Sequence, residues 1–411
     1  MAKKILILGG GFGGMYCAKH LCSMLKNDKE CEIILVNKNN YFLFTPLLHE
    51  VAASNLSGRS VTLPIRESIK SRNFTFVKGT ATKVNVKEKN VIVDMGSREK
   101  KIEYDYLVIA IGSTSNYFGI EGADRYAFPL KTVEDAYRIR NHMIDMFEFS
   151  ESDDEEERRR KLRFIVVGGG PTGVETVAEI RNMIHKSVGK LYKKSTKDVE
   201  IVLVHSSSRL LDGFSDRLDV ISRKRLESIG VKVLVDSRVT KVFKDGIQIN
   251  REERMDAGTV IWATGIKSNT LGSSPEITRD ERFRIIVNDR LQLEDHPEVL
   301  AIGDNSVVRG SDIPATGQVA WQQAVCAASN IKSMIYGEET SPFVYRHSGS
   351  LLSIGEGYAA GDINNRTFHG GWVWYLWRTI YLSKIIGGRN KARIALEWLI
   401  ELMFKRDTSQ I

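Results

Sequence analysis

One arrangement occurs twice in this chain and leaves little room for any other fold. The apolar run at residues 4–8 stops at a glycine loop, GGGFGG at 9–14, and a helical stretch follows to about Leu25. At 164–167 the run FIVV stops at a second glycine loop, GGGPTG at 168–173, and a helical stretch follows from Val174 past Ile184. Short, wholly apolar runs closed by glycine read as strands buried on both faces of a parallel sheet. Second strands follow at 32–36 (EIILV) and 200–204 (EIVLV), and DYLVIAIG at 105–112 is echoed by TVIWATG at 259–265. The fold class is therefore α/β, with two Rossmann-like dinucleotide-binding domains.

Both loops carry G-x-G-x-x-G, as Gly9, Gly11, Gly14 and as Gly168, Gly170, Gly173. The first glycine allows the tight turn, the second lets a pyrophosphate approach the backbone, and the third lets helix and strand pack closely. The phosphates then sit at a helix N-terminus, where free N–H groups and the dipole favour anions. One such loop is weak evidence, but two in matching context are strong. Phe12 and Gly13 complete the first lining, and Pro171 and Thr172 the second. Ala110, Gly112 and Gly265 close the later strands, and Gly303 and Asp304 end another, at 299–304. Two dinucleotides in one chain imply electron transfer between them, and a flavin with a nicotinamide is the usual pair.

The second strand of such a unit normally ends in Asp or Glu, which binds the ribose hydroxyls. Here it ends in Asn37, followed by Lys38, in the first copy and in His205 in the second. With no carboxylate at 205, and with Ser206 and Arg209 nearby, the sequence leaves NADPH open beside NADH.

A length of 411 residues suggests two or three domains. The boundaries read as 1–115 and 271–340 for the two parts of a flavin domain, 116–270 for a nicotinamide domain, and 341–411 for a C-terminal region. Residues 151–163 (ESDDEEERRRKLR) read as a solvated helix end and linker. The net charge of +8 favours anionic partners, but no nucleic-acid recognition pattern accompanies it. The four cysteines, Cys17, Cys22, Cys31 and Cys326, include no CxxC pair and form no metal-ligand pattern with His. Cys17 and Cys22 have disulfide-reductase spacing, yet they face different sides of the first helix and read as packing residues. No apolar stretch is long enough to span a bilayer.

The sequence resembles the type II NADH:quinone oxidoreductases, single-subunit respiratory dehydrogenases that do not pump protons. The likeness runs nearly end to end, through ILGGGFGGMYCAKHL (7–21), NNYFLFTPLLHEVAA (39–53), FPLKTVEDAYRIRNH (128–142), FIVVGGGPTGVETVAEI (164–180), VIWATGIKSN (260–269), LAIGDN (300–305), GQVAWQQA (317–324) and YLSKIIGGRNKARIALEWL (381–399). It implies FAD on the first loop with Asp304 at its ribityl chain, and NADH on the second loop. It also implies a membrane quinone, menaquinone or ubiquinone, as acceptor. Glu175 and Glu179 match the family's glutamates after the second loop, with Glu175 near flavin and quinone as a proton relay. Gln318 and Gln322 match the two glutamines of its quinone motif, in which Gly317 replaces an alanine and would allow closer backbone approach. His49 and His347 are expected to have no chemical role.

In the tail, Arg393, Glu397, Glu401 and Lys405 form one narrow polar stripe on an otherwise apolar helix, and Trp372, Trp374, Trp377 and Trp398 cluster around it. This reads as an amphipathic anchor on an anionic lipid surface, and so as a peripheral, monotopic protein on the cytoplasmic face of the cell membrane. Homodimer packing through the same helices is also expected. The alternatives are a sulfide:quinone oxidoreductase, which works through cysteines beside its flavin, a ferredoxin-directed reductase, and a redox-sensing FAD protein.

Overall fold

The computed structural model describes residues 2–26, 28–192, 196–273, 276–364 and 366–410, and the chain divides into two compact units. The first comprises Met1–Leu43, Thr62–Thr114 and Ile266–Arg346. Its centre is a five-stranded parallel sheet in the order Val299–Ala301, Tyr106–Ile109, Lys3–Leu8, Cys31–Asn37, Phe74–Lys78. Ile5, Leu6, Ile7 and Leu8 are wholly buried, as their unbroken apolar run requires of a strand covered on both faces. The helix Phe12–Met24 packs on the helix Gly317–Tyr336. Thr316 caps the latter by accepting from the Val319 N–H, and Gly337 ends it at φ +73°.

The second unit comprises Phe44–Val61, Ser115–Gly265 and His347–Ile411. Its parallel sheet has the same plan, in the order Phe128–Pro129, Thr259–Trp262, Arg163–Val167, Glu200–Val204, Lys232–Leu234. Each unit also carries a three-stranded antiparallel meander: Thr80–Asn85, Asn90–Asp94 and Glu99–Glu103 in the first, Val239–Phe243, Gly246–Ile249 and Glu253–Asp256 in the second.

These units differ from the sequence boundaries in two ways. Residues 44–61 belong to the second unit, because the helix Leu48–Ala52 packs on Val133–Ser150 and Pro171–Met183. Residues 347–411 do not stand apart. The helix Gly371–Lys384 lies on the strand Ala359–Ile363, and Gly388–Met403 lies against Gly58–Val61. The acidic-to-basic run at 151–163 contains a short helix, Glu155–Lys161, with no buried residue. Asp154 caps it, and its acids in the first turn and bases in the last complement the helix dipole.

Candidate nucleotide sites and a buried carboxylate cluster

The two glycine loops have the same construction. A Cβ on the first glycine would meet a strand carbonyl, Ala110 O at 2.2 Å from Gly9 and Ala263 O at 2.8 Å from Gly168. A Cβ on the third would run into the carbonyl of the first, at 1.9 Å for Gly14 and 1.8 Å for Gly173. The second glycines, Gly11 and Gly170, have nothing within 4 Å. Packing thus demands glycine at the outer two positions, and the middle one faces open space at a helix start. That is the cradle a pyrophosphate needs. The second helix begins at Pro171, three residues before the sequence expectation, with proline at a first-turn position where its missing N–H costs nothing. Thr172 is exposed in the same turn.

The duplication extends to the residue that ends each second strand. Asn37 Oδ1 accepts the Gly10 N–H at 2.9 Å, and His205 Nδ1 accepts the Gly169 N–H at 3.0 Å. Both side chains brace their glycine loops, a role the sequence reading did not assign. Lys38 is exposed. Arg209 bonds Phe214 O at 3.1 Å and pairs with Asp216, so its cation is already engaged.

In the first unit, Phe12 meets Phe42 edge-on, and Gly13 lies beside Ile302 and Ala110. Ala110 N–H continues the sheet to Leu8 O. Gly112 (φ +68°) donates to Asn305 Oδ1, and Gly303 (φ +77°) donates to Gln323 Oε1 at 2.7 Å. Asp304 Oδ2 accepts from Ser113 at 2.6 Å. Asn305 and Gln323 are buried, and the sequence reading passed over both. Gln318 and Gln322 share a helix face, as their spacing requires, but that face meets the chain's own residues 345–346. Tyr345 OH donates to Gln318 Oε1, and Gln322 pairs with both the N–H and the C=O of Arg346. A Cβ at Gly317 would meet the Phe12 ring at 3.6 Å, an ordinary contact, so close approach does not demand glycine there. Gly265, in the second unit, does favour glycine, because its φ of +69° lies in the left-handed region.

The second unit also contains a buried cluster of ionisable groups. Glu175 accepts the Ser353 N–H at 3.1 Å, and its other oxygen lies 3.8 Å from His49 Nδ1. Glu50 accepts from Trp398 Nε1 at 2.7 Å. Arg406 bridges Glu179 and Glu401, each at 2.7 Å, and Glu401 also pairs with Arg378 at 2.9 Å. Glu50, Glu175, Glu179 and Glu401 therefore face two guanidiniums. If every carboxyl ionised, the site would hold excess buried negative charge, which is costly. The resolution is protonation. Burial, with Glu50 and Glu179 nearby, pushes Glu175 well above the carboxylate range, against the Ser353 hydrogen bond. Burial and the charges of Glu179 and Glu401 push Glu50 up to about 8. Burial and Arg406 push His49 down to about 3, so its imidazole is neutral.

Glu175 lies one turn into its helix rather than at its positive end, so desolvation and not the dipole governs it. His49, expected to be inert, lies within this cluster. The signal available in the sequence was a His–Glu pair inside the apolar run LLHEVAA.

Residues 3–324 match the family described as pyridine nucleotide-disulphide oxidoreductase, and 347–407 match the NDH2 C-terminal domain. A probable NADH dehydrogenase of Dictyostelium discoideum is 31% identical, covering 99% of this chain and 91% of that one. A type II NADH:quinone oxidoreductase of Mycobacterium tuberculosis is 30% identical, covering 97% and 87%. The chain belongs to the type II NADH:quinone oxidoreductases. The fold agrees: NDH2 of Plasmodium falciparum, solved in complex with NADH, superposes with a TM-score of 0.92 at 23% identity, covering both chains fully.

In this type II oxidoreductase no cysteine is prepared as a thiolate. Cys17, Cys22 and Cys31 are buried, all four are free, and burial raises every thiol, Cys22 to about 12 and Cys326 to about 11. The sulfide:quinone alternative loses its chemistry there. The tail helix is oriented by its polar stripe. Glu397 accepts from the Ser57 N–H and from the hydroxyls of Ser57 and Ser60, and the Glu401 side chain is 6% exposed. Leu399, Met403 and Phe404 face outward instead, 53%, 63% and 66% exposed. Of the four tail tryptophans only Trp372 is exposed; Trp374, Trp377 and Trp398 are core, which narrows the expected aromatic belt. Among the described residues no helix is long and apolar enough to cross a membrane, and no group of His, Cys, Asp and Glu is arranged to hold a metal.

Proposed function

We propose that this enzyme passes two electrons from NADH through FAD to a membrane quinone, with the overall balance NADH + H⁺ + quinone → NAD⁺ + quinol, and that Glu175 delivers the proton. The observation that carries this reading is the repeated loop whose middle glycine alone faces open space. It fits a pyrophosphate twice, once in each unit.

Gly9, Gly11 and Gly14, with the N-terminus of the following helix, hold the FAD pyrophosphate. Gly303 and Asp304 would hold its ribityl chain, with Ala110 and Gly112 alongside. Gly168, Gly170 and Gly173 hold NADH, flanked by Gly265. When bound, the flavin supplies the two-electron exchange between nicotinamide and quinone. The protein's own work is to orient both partners, exclude water and supply a proton. Glu175 suits the last task because it is buried, and burial holds its carboxyl well above the usual range and so favours the form that carries a proton. Glu50, also pushed upward, adjoins it as a second proton holder. Gln318 and Gln322, locked to Tyr345 and Arg346, form the wall against which a menaquinone or ubiquinone ring rests.

A lipid-soluble acceptor requires contact with the bilayer. The outward Leu399, Met403 and Phe404 on the last helix are exposed apolar groups, and the same helix carries Arg389, Lys391 and Arg393 in its first turns, a combination that suits an anionic leaflet. We place the protein on the cytoplasmic face of the cell membrane, as a homodimer. Anaerobic stopped-flow mixing tests the proton role. Glu175→Gln should bleach the flavin with NADH at the wild-type rate but reoxidise slowly with a quinone analogue. Equal slowing of both phases would refute it.

A further inference from the structure

The strand Glu200–Val204, paired beside the one that leads into the second nucleotide loop, lacks its usual terminal carboxylate, and the fold brings another carboxylate close to that position. His205 follows Glu200–Val204, and its Nδ1 accepts the Gly169 N–H. This leaves the neutral imidazole with its proton on Nε2. Nε2 is buried, makes no hydrogen bond, and lies 3.4 Å from Asp212 Oδ2. The segment after His205 folds back on the glycine loop, with Leu211 N–H bonded to Gly169 O at 2.8 Å and Leu211 itself at φ +55°. Ser207 Oγ donates to Asp212 Oδ2 at 2.9 Å and holds the carboxylate in place. The Asp212 side chain remains 58% exposed, open to a ligand.

We infer that Asp212 is the acceptor for the adenosine ribose hydroxyls at this site and sets its preference for a nucleotide without a 2′-phosphate. This rests on the reading of the second loop as the NADH site. The ribose in such folds lies at the end of the second strand, where His205 stands. A carboxylate 3.4 Å beyond the imidazole stands next to that position and can serve in place of the missing Asp or Glu. It accepts from paired hydroxyls and repels a phosphate. The nearby cation does not reverse this. Arg209 is paired with Asp216, so residues 205–216 present two carboxylates against one guanidinium.

The test is equilibrium binding of NAD⁺ and NADP⁺ to the oxidised holoenzyme by calorimetry, where neither nucleotide reacts. The wild type should favour NAD⁺. Asp212→Asn keeps the shape but loses the charge, and should lower the NAD⁺-over-NADP⁺ preference by roughly tenfold to a hundredfold, the range for one hydrogen bond to a charged group. Asp216→Asn, which releases Arg209, should strengthen NADP⁺ binding and leave NAD⁺ nearly unchanged. Flavin content and melting curve should stay at wild-type values in both variants. An unchanged ratio in Asp212→Asn, or a wild type that prefers NADP⁺, overturns the assignment. A flavin-loaded wild type that binds neither nucleotide overturns the reading of the second loop, and Asp212 with it.

Discussion

Replacing Glu50 with glutamine should flatten the dependence of stability on pH. Its carboxyl is 2% exposed, and burial first, then Glu179 and Glu401, lift it to about 8, against the Trp398 N–H and Arg378. In the unfolded chain the group titrates near 4.5. Between those values the folded state binds a proton that the unfolded state has released, so stability falls as pH rises. Below about 4.5 both states are protonated and the contribution is complete; above about 8 both are ionised and it is gone. A gap of roughly 3.5 units at 1.36 kcal/mol each gives a ceiling of about 5 kcal/mol, lost at about 1.4 kcal/mol per pH unit. Glutamine keeps the shape, accepts the Trp398 N–H and does not titrate. Urea unfolding of the holoprotein from pH 5 to 9, followed by tryptophan fluorescence, measures this directly. The wild type should weaken steadily with pH. Glu50→Gln should match it near pH 5 and gain on it above, keeping only the slope due to Glu175. Equal slopes in the two proteins would show that Glu50 holds no extra proton in the fold.

Gly170→Val should fold, since no protein atom lies within 4 Å of the added Cβ, yet bind NADH at least about tenfold more weakly with normal flavin content; unchanged calorimetric affinity would remove the pyrophosphate from this loop. Arg406→Met leaves Glu179 and Glu401 buried without that cation and should cost about 3–5 kcal/mol in urea unfolding at pH 7. Adding Glu401→Gln should recover part of that loss, and strict additivity would count against a shared network. Leu399→Gln with Met403→Gln, both on the outward face, should reduce flotation with anionic liposomes severalfold while the melting curve holds; undiminished flotation would place the membrane contact elsewhere.

What the sequence made legible follows from how local each feature is. The strand–glycine–helix units were readable because apolar runs, loop glycines and helix starts lie within about thirty residues of each other. The His49–Glu50 pair was not, because its meaning depends on distant partners: Glu50 bonds Trp398, 348 positions away. The tail was read correctly as amphipathic, but its stripe was expected only to be narrow and polar. That Glu397 and Glu401 turn inward depends on Ser57, Ser60, Arg378 and Arg406, which no periodicity connects. Asn37 and His205 were noted only as standing where a ribose-binding carboxylate is usual, with His205 leaving NADPH open, and their bonds to the glycine loops became visible only with the backbone in place.

The tail's two faces carry two tasks. Trp398 and Glu401 point inward to the carboxylate cluster, and Leu399, Met403 and Phe404 on the same stretch point outward. The inner face supplies Glu50 with its N–H donor, and Glu401 joins Arg406 to Arg378. Deleting the tail would therefore remove the apolar surface and also strip Glu50 of the Trp398 N–H, which favours its charged form, and of Glu401, which disfavours it. A truncated enzyme that loses quinone turnover would not show which task failed. Substitutions confined to the outward residues disturb only the surface, and Glu50→Gln disturbs only the cluster. If outward substitutions slow turnover with a lipid-embedded quinone but not with a soluble analogue, while Glu50→Gln alters both, the two faces act separately. If the outward changes slow both, the helix transmits the disturbance inward, and the cluster is less rigid than its hydrogen bonds imply.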